Sequence, residues 1–272
     1  MTSTTAPVIT LLTDYGTADE FVGVCHGVIA RLCPSARVID LTHGVTRHDV
    51  RSGAAILANT LPYLPVGVHV AVVDPTVGGD RRAIAFETAD GRRFVGPDNG
   101  LLWLAAEVAG GITRAVEISA SPWRLQPTSA TFHGRDIFVP VAARLAAGEP
   151  VEQAGEPLDL ARLVRLELAE PRVEGGALVM EIAHADRFGN VQFATTVDRL
   201  GLAEGDRTRV LLPSGEAIIA QLVRTFSDVD AGEALLFEDS ARKLALGLNQ
   251  GSFAGRHGLR AGDELRITLG DG

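Results

Sequence analysis

Val68-His69-Val70-Ala71-Val72-Val73-Asp74-Pro75-Thr76-Val77-Gly78-Gly79-Asp80-Arg81-Arg82 decides how the first half of the chain folds. Val68 to Val73 is a nearly continuous apolar run, the pattern of a strand covered on both faces. Asp74-Pro75 ends that strand in a Pro/Gly loop, and Arg81 leads into the next apolar run, Ala83-Ile84-Ala85-Phe86. The strand therefore delivers a carboxylate to a loop rim. A second polar cluster, Phe132-His133-Gly134-Arg135-Asp136, falls at a loop-to-helix junction.

Outward from this stretch, strand and helix signals alternate. Strands are predicted at 8–13, 37–41, 83–86 and 93–95, with helices at 20–32, 49–61, 99–108 and 136–147. Asp49 is the expected N-cap of its helix. Apolar strands separated by helices predict an α/β N-terminal domain with a largely parallel sheet, residues 1–165. Residues 148–176, rich in Gly, Pro and Glu, read as a connection. Short strands then follow at close spacing, at 177–182, 190–193, 208–212, 217–223, 234–237 and 264–269. Turn signals such as Pro213-Ser214-Gly215 divide them, so residues 173–272 predict a small all-β, barrel-like C-terminal domain.

A length of 272 residues suits two domains, and 46% hydrophobic with 22% charged residues is ordinary for a globular chain. No apolar run approaches the roughly 20 residues of a membrane span, and no secretory leader opens the sequence. The lead Met1–Ala6 is expected to fray. Cys25 and Cys33 would lie roughly 12 Å apart on one helix, too far for a bridge, which predicts a reduced, cytoplasmic protein. A net charge of −9 argues against nucleic acid and suits a neutral or cationic small-molecule substrate.

Asp14, Asp40, His43, Asp74 and Asp98 all follow predicted strands, where open α/β sheets bind ligands. Asp14 suits a pair of ribose hydroxyls, or the cap of the helix after Gly16. Asp74 and Arg81 suit the orientation of a water, or a structural ion pair closing the loop. His133 reads equally as a core or capping histidine. Arg82, Arg135 and Asp136 read as scaffold, with Asp136 opening a helix. In the second domain, Asp186-Arg187-Phe188-Gly189-Asn190 offers a carboxylate, an aromatic face and an amide, or simply a hairpin turn. Phe226 reads as an aromatic wall or a core residue. Ser240 could supply a hydroxyl to a carboxylate. Asp14, Asp40, His43, Asp74, Asp98 and Asn99 could also compose a two-metal phosphoesterase set. Against it, His26, His48, His69, His184 and His257 show no ligand spacing, so no metal ligands are expected.

Seven ordered segments together resemble the S-adenosylmethionine (SAM) hydroxide adenosyltransferases, relatives of the fluorinase and chlorinase. They are Leu12–Gly16, Asp40–His43, Val73–Arg82, Gly96–Gly100, Phe132–Asp136, Asp186–Asn190 and Asp239–Gly251. The resemblance implies hydrolysis of SAM to adenosine and L-methionine by attack of water or hydroxide at ribose C5′, without a cofactor. It implies that Asp74, Arg81 and His133 arrange the nucleophile and that Asp14 holds the ribose. Phe188 and Asn190, with Phe226 as a further wall, would hold adenine; Asp186 and Ser240 would bind the methionine end. It also implies a homotrimer with sites shared between subunits. The alternatives are a SAM-dependent halogenase and a non-catalytic adenosine- or SAM-binding module. The halogenating relatives carry Tyr at the position of Asp74 and Thr and Ser at those of Val77 and Gly134, and an Arg of the fluorinase is Ala241 here.

Overall fold

The computed structural model of the chain describes residues 6–268. Residues 1–5 of the expected lead, and Leu269 at the end of the last expected strand, lie outside the described residues. The chain divides between Leu166 and Glu167 into two compact units.

The first unit runs β1 (Val8–Thr13), α1 (Phe21–Leu32), β2 (Arg37–Thr42), α2 (Val50–Thr60), β3 (Val68–Val72), β4 (Ala83–Thr88), β5 (Arg93–Pro97), α3 (Trp103–Val108), β6 (Ile112–Glu117), α4 (Val139–Ala146) and β7 (Glu156–Pro157). Its sheet has the order β2-β1-β3-β5-β4-β6-β7. β2, β1, β3 and β5 are parallel neighbours, and β4, β6 and β7 extend them with antiparallel pairings. Both faces are covered, as the apolar run of β3 requires. Val68, Val70 and Val72 join a core with Val28 and Ile29 of α1 and Val141 and Leu145 of α4. Ala71 and Val73 face the opposite layer, with Leu57 of α2 and Ala105 of α3. The two-residue strand period therefore puts Asp74 on the side of Val72, toward the start of α4.

Two expected helices differ at their starts. The one predicted from Asn99 begins at Trp103, because Gly100 takes φ +91°, which a helix cannot contain. The one predicted from Asp136 is preceded by a π-turn over Gly134–Phe138, so Asp136 lies within the first turn and does not open it. Asp49 caps α2 as expected, accepting from the Ser52 amide at 2.9 Å.

His69 is the polar intruder in this core. It is fully buried, its Nδ1 lies 2.9 Å from Thr10 Oγ1, and its Nε2 has no hydrogen-bond partner among the described residues. Burial, followed by the nearby Arg92 charge, pushes its pKa down to about 4. Because the unfolded chain takes up this proton first, the stability owed to neutral His69 is complete above pH 6.5. It is lost as the pH falls toward 4, and the full shift corresponds to about 3 kcal/mol. Chemical denaturation at pH 7 and pH 4 should therefore show a smaller acid loss in His69→Asn than in the wild type. An equal loss would contradict the assignment.

The second unit contains β8 (Arg172–Glu174), β9 (Ala177–Ala185), β10 (Val191–Phe193), β11 (Arg207–Leu211), β12 (Ala217–Leu222), β13 (Ala234–Glu238), β14 (Leu244–Leu248), α5 (Phe253–His257) and β15 (Glu264–Thr268). Strands β10-β14-β13-β12-β11-β15-β9 form a ring closed by the β9–β10 pairing, and β8 is added outside on β9. Met180, Ile182, Phe193, Leu246, Phe253 and Leu265 fill the barrel. Closure leaves no free edge among the seven ring strands, so a unit of this size needs no second layer.

Candidate active site

Asp74 leaves the end of β3 with its backbone anchored by the Asn99 side-chain amide, which donates to the Val73 carbonyl at 2.9 Å. The loop that follows returns Arg81 to Asp74. Gly78, at φ +78°, makes this possible, since a Cβ there would collide with the Ala130 carbonyl of the facing loop. Arg81 Nε donates to both Asp74 oxygens, at 3.0 and 2.9 Å, and its Nη2 also bonds Oδ2. The same Nη2 donates to His133 Nδ1 at 2.8 Å. The Asp74 and Arg81 side chains are only 5% and 8% exposed, so the pair is well removed from water.

These contacts fix the state of His133. A guanidinium can only donate, so Nδ1 must be the bare nitrogen and neutral His133 carries its proton on Nε2. Burial first, then the Arg81 charge, hold the imidazole pKa below its usual value, which keeps this neutral form. The site thus combines a carboxylate acceptor with an imidazole N–H donor and a guanidinium.

Asp14 faces the same cavity, a cleft of about 380 Å³ that Asp74, His133, Val77 and Gly134 also line. The Asp14 Oδ2 accepts from the His48 amide at 2.9 Å, with His48 itself at φ +66°. That bond crosses to another loop, and no side-chain bond caps α1, so the capping role weighed for Asp14 is not taken. Among the expected residues, Asp14, Asp74 and His133 line this cleft, and Arg81 is bonded to Asp74 and His133.

The sequence reading missed the aromatic wall. Tyr15, Phe21 and Phe132 meet edge to face or tilted, with ring centroids 5.1–5.9 Å apart. A Phe at the start of α1 and another directly before His133 were the available signals. Tyr15 is held as a neutral phenol: burial above all, with the nearby Cys25 and the Asp14 and Asp74 carboxylates opposing any further negative charge, raises its pKa. Its hydroxyl presses on Gly134, where a Cβ would fall inside contact distance. Asp19, Arg47 and His48 complete the lining.

The phosphoesterase set does not assemble as one centre. Asp74 is bound to Arg81, and Asp98 accepts from Arg82 and from the Val164 amide at 2.9 Å. Asn99 serves the Val73 carbonyl, while Asp40 and His43 meet a different residue, His26.

In the second unit, Asp186 organises its own loop. Its Oδ1 accepts from the amides of Phe188 and Asn190, at 2.9 and 2.8 Å, and its Oδ2 from Asn190 Nδ2 at 2.8 Å. Phe188 stands 69% exposed. Asn190 and Phe226 converge on Gly247 of β14, where a Cβ would press on both. Phe226 packs against Phe237 with centroids 4.9 Å apart, a core contact at the edge of a small apolar cluster. Ser240 lies on the exposed turn between β13 and β14. A larger cleft in this unit, about 440 Å³, contains none of the expected residues; its His257 pairs with Glu216 at 3.1 Å.

A parallel-sheet unit presenting an Asp–Arg–His trio beside a cleft of about 380 Å³, followed by a closed barrel, defines the class. Residues 9–155 match the SAM hydroxide adenosyltransferase N-terminal domain, and residues 180–266 match the C-terminal domain of the same family. The chain belongs to the SAM hydroxide adenosyltransferase family. It is 49% identical to the (R)-S-adenosyl-L-methionine hydrolase of Salinispora tropica, over 97% of this chain and 98% of that one. Similarity to the fluorinase of Actinoplanes sp. is lower, 29% over 96% and 97% of the two chains. The crystal structure of an uncharacterized conserved protein from Thermotoga maritima superposes with a TM-score of 0.85 at 37% identity, covering 95% of this chain and 99% of that one.

Proposed function

We propose that this protein hydrolyses S-adenosyl-L-methionine to adenosine and L-methionine. The observation that carries the reading is the buried Asp74–Arg81–His133 constellation facing the same cleft as Asp14. The family membership and the named hydrolase relatives support it.

Water attacks C5′ of the ribose from the side opposite sulfur. A C5′–O bond forms, the C5′–S bond breaks, and the sulfonium takes the bonding pair to become the neutral thioether of methionine. Asp74 accepts a hydrogen bond from the water and turns its lone pair toward carbon. His133 Nε2–H and Arg81 stabilise hydroxide character as the water's proton passes along its hydrogen bond to Asp74 and on to solvent, so the products are adenosine, methionine and one proton. Attack of an anion on a cation removes charge, so a dry site favours it, and in-line placement supplies the rest. Substrate and water complete the atom balance, and no cofactor enters. Asp14 holds the ribose hydroxyls, which fits its place on the cleft rim.

Phe188, Asn190 and Phe226 bind adenine, and Asp186 and Ser240 bind the methionine end. Convergence of Asn190 and Phe226 on Gly247 supports the first assignment. The protein works as a homotrimer whose sites combine the first unit of one subunit with the second unit of a neighbour. The two free, buried thiols, Cys25 and Cys33, fit a cytoplasmic location. Among the described residues, no helix is long and apolar enough to cross a membrane.

Chromatography of the products tests the reaction: adenosine and methionine should appear in equal amounts, with EDTA as without it. Loss of turnover in EDTA, restored by a divalent ion, would point to metal chemistry instead. The shared site has its own test. Asp14→Ala and Asp186→Ala proteins, each weak alone, should regain activity when mixed under conditions that allow subunits to exchange. A fully active monomer in light scattering would contradict it.

A further inference from the structure

Away from the reacting trio, three side chains that look unrelated in the sequence come to one point. His26 lies on α1, Asp40 on β2 and His43 in the loop after β2. The Nε2 atoms of both imidazoles approach the same carboxylate oxygen, Asp40 Oδ1, at 2.9 and 3.0 Å. One donor atom from each of the three residues falls within 4.8 Å of the others. The fold produces this focus in two ways. A register shift between β1 and β2, where Leu11 faces Asp40 but Leu12 faces Thr42, is the kind of bulge that re-aims a side chain. His43 is then fixed by its other nitrogen, with Nδ1 2.9 Å from Thr13 Oγ1.

An ordinary hydrogen-bonded cluster explains half of this arrangement. His26 makes a well-formed bond to Asp40. His43 meets the same oxygen less squarely: its side chain is 5% exposed, and its Nε2 sits 3.0 Å from Asp40 Oδ1, at ion-pair distance but poorly aligned for a hydrogen bond. Two imidazole nitrogens from different elements converging on one carboxylate oxygen, one of them buried, form a donor set that a common cation can take. Ligand atoms around a tetrahedral zinc, at about 2.0–2.1 Å from the metal, stand roughly 3.3 Å from one another. Reaching that spacing takes a small retreat of Asp40 Oδ1 from both nitrogens and a closer approach of the two imidazoles, which the partly exposed His26 and Asp40 can make. The Thr13 contact is the outer-shell hydrogen bond that a metal-binding histidine usually makes.

We propose that His26, Asp40 and His43 form a site for a zinc-class divalent ion, separate from the hydrolytic centre and independent of the functional reading. Two imidazole nitrogens and one carboxylate select zinc, cobalt or nickel over magnesium and calcium, which prefer oxygen alone. The solvent side is left for water as the fourth ligand. Bound there, the ion fastens α1 to the end of β2. Its role is structural.

The test uses the full-length protein after EDTA treatment and gel filtration. Calorimetric titration with zinc chloride should give one ion per chain, and cobalt chloride should give the visible absorption of a four-coordinate ion. Zinc should raise the melting temperature. His26→Ala, a partly exposed position, should abolish all three signals, and Asp40→Asn should do the same. Thr13→Val should weaken zinc binding about 10–100-fold while leaving one site. Cys25→Ser should bind as the wild type does. No uptake of zinc, or uptake unchanged in His26→Ala, would overturn the proposal.

Discussion

Asp74→Asn is expected to slow adenosine formation by about 10²–10³-fold, with the KM for SAM changed far less. The substitution keeps the size of the side chain and removes its charge. Arg81 then meets an amide whose NH₂ group cannot accept, and the water loses the acceptor that orients it. The ribose, adenine and methionine contacts lie on other residues, so binding should survive. Because the pair is nearly buried, an unmatched guanidinium also destabilises the fold, by about 3–5 kcal/mol if the pair is fully broken. Single-turnover kinetics should therefore be measured well below a separately determined melting temperature. A variant that folds and turns over within a few-fold of the wild type would remove Asp74 from the reaction.

Gly134→Ser, which places a hydroxyl at this position of the cleft, is expected to damage the protein without creating a halogenase. The space that a side chain at 134 would need is already filled by the Tyr15 hydroxyl. Overpacking of this kind costs about 1–3 kcal/mol. It also displaces His133, the adjacent residue, and misplacement near 1 Å costs about 10²-fold in rate. Adding Tyr15→Phe removes the nearest atom and should recover part of both losses. A Gly134→Ser protein as stable and active as the wild type would show that Tyr15 does not govern this wall.

How much of this could be read beforehand depended on whether a feature was local. The strand Val68–Val72, the Asp74 loop and the cap at Asp49 follow from short-range pattern and turn chemistry, and all are present. β6 was missed because Thr113 and Arg114 interrupt its apolar character, although it pairs on both sides. β14, Leu-Ala-Leu-Gly-Leu, is apolar throughout but low in β-branched residues, so its sequence favours no strand. α5 carried its own signals, with Ser252 as N-cap and Gly258 in the left-handed region, but five residues give too little periodicity to read. At the candidate site, Asp74 and Arg81 are seven residues apart and their pairing was foreseeable. The bond from Arg81 to His133 spans 52 residues, and the meeting of His26 with Asp40 depends on how α1 lies against β2. No spacing rule reaches those.

The origin of one oxygen atom decides between hydrolysis and halogenation. The enzyme should be incubated with SAM in ¹⁸O-labelled water containing a high concentration of chloride, and the nucleoside product examined by mass spectrometry. Asp74 repels an anion and accepts from water, while Val77 and Gly134 offer no hydroxyl to replace the hydration of a halide. Adenosine carrying ¹⁸O at the 5′ position, released with unlabelled methionine, is the predicted result. 5′-Chloro-5′-deoxyadenosine as the main product, or adenosine without the label, would contradict it.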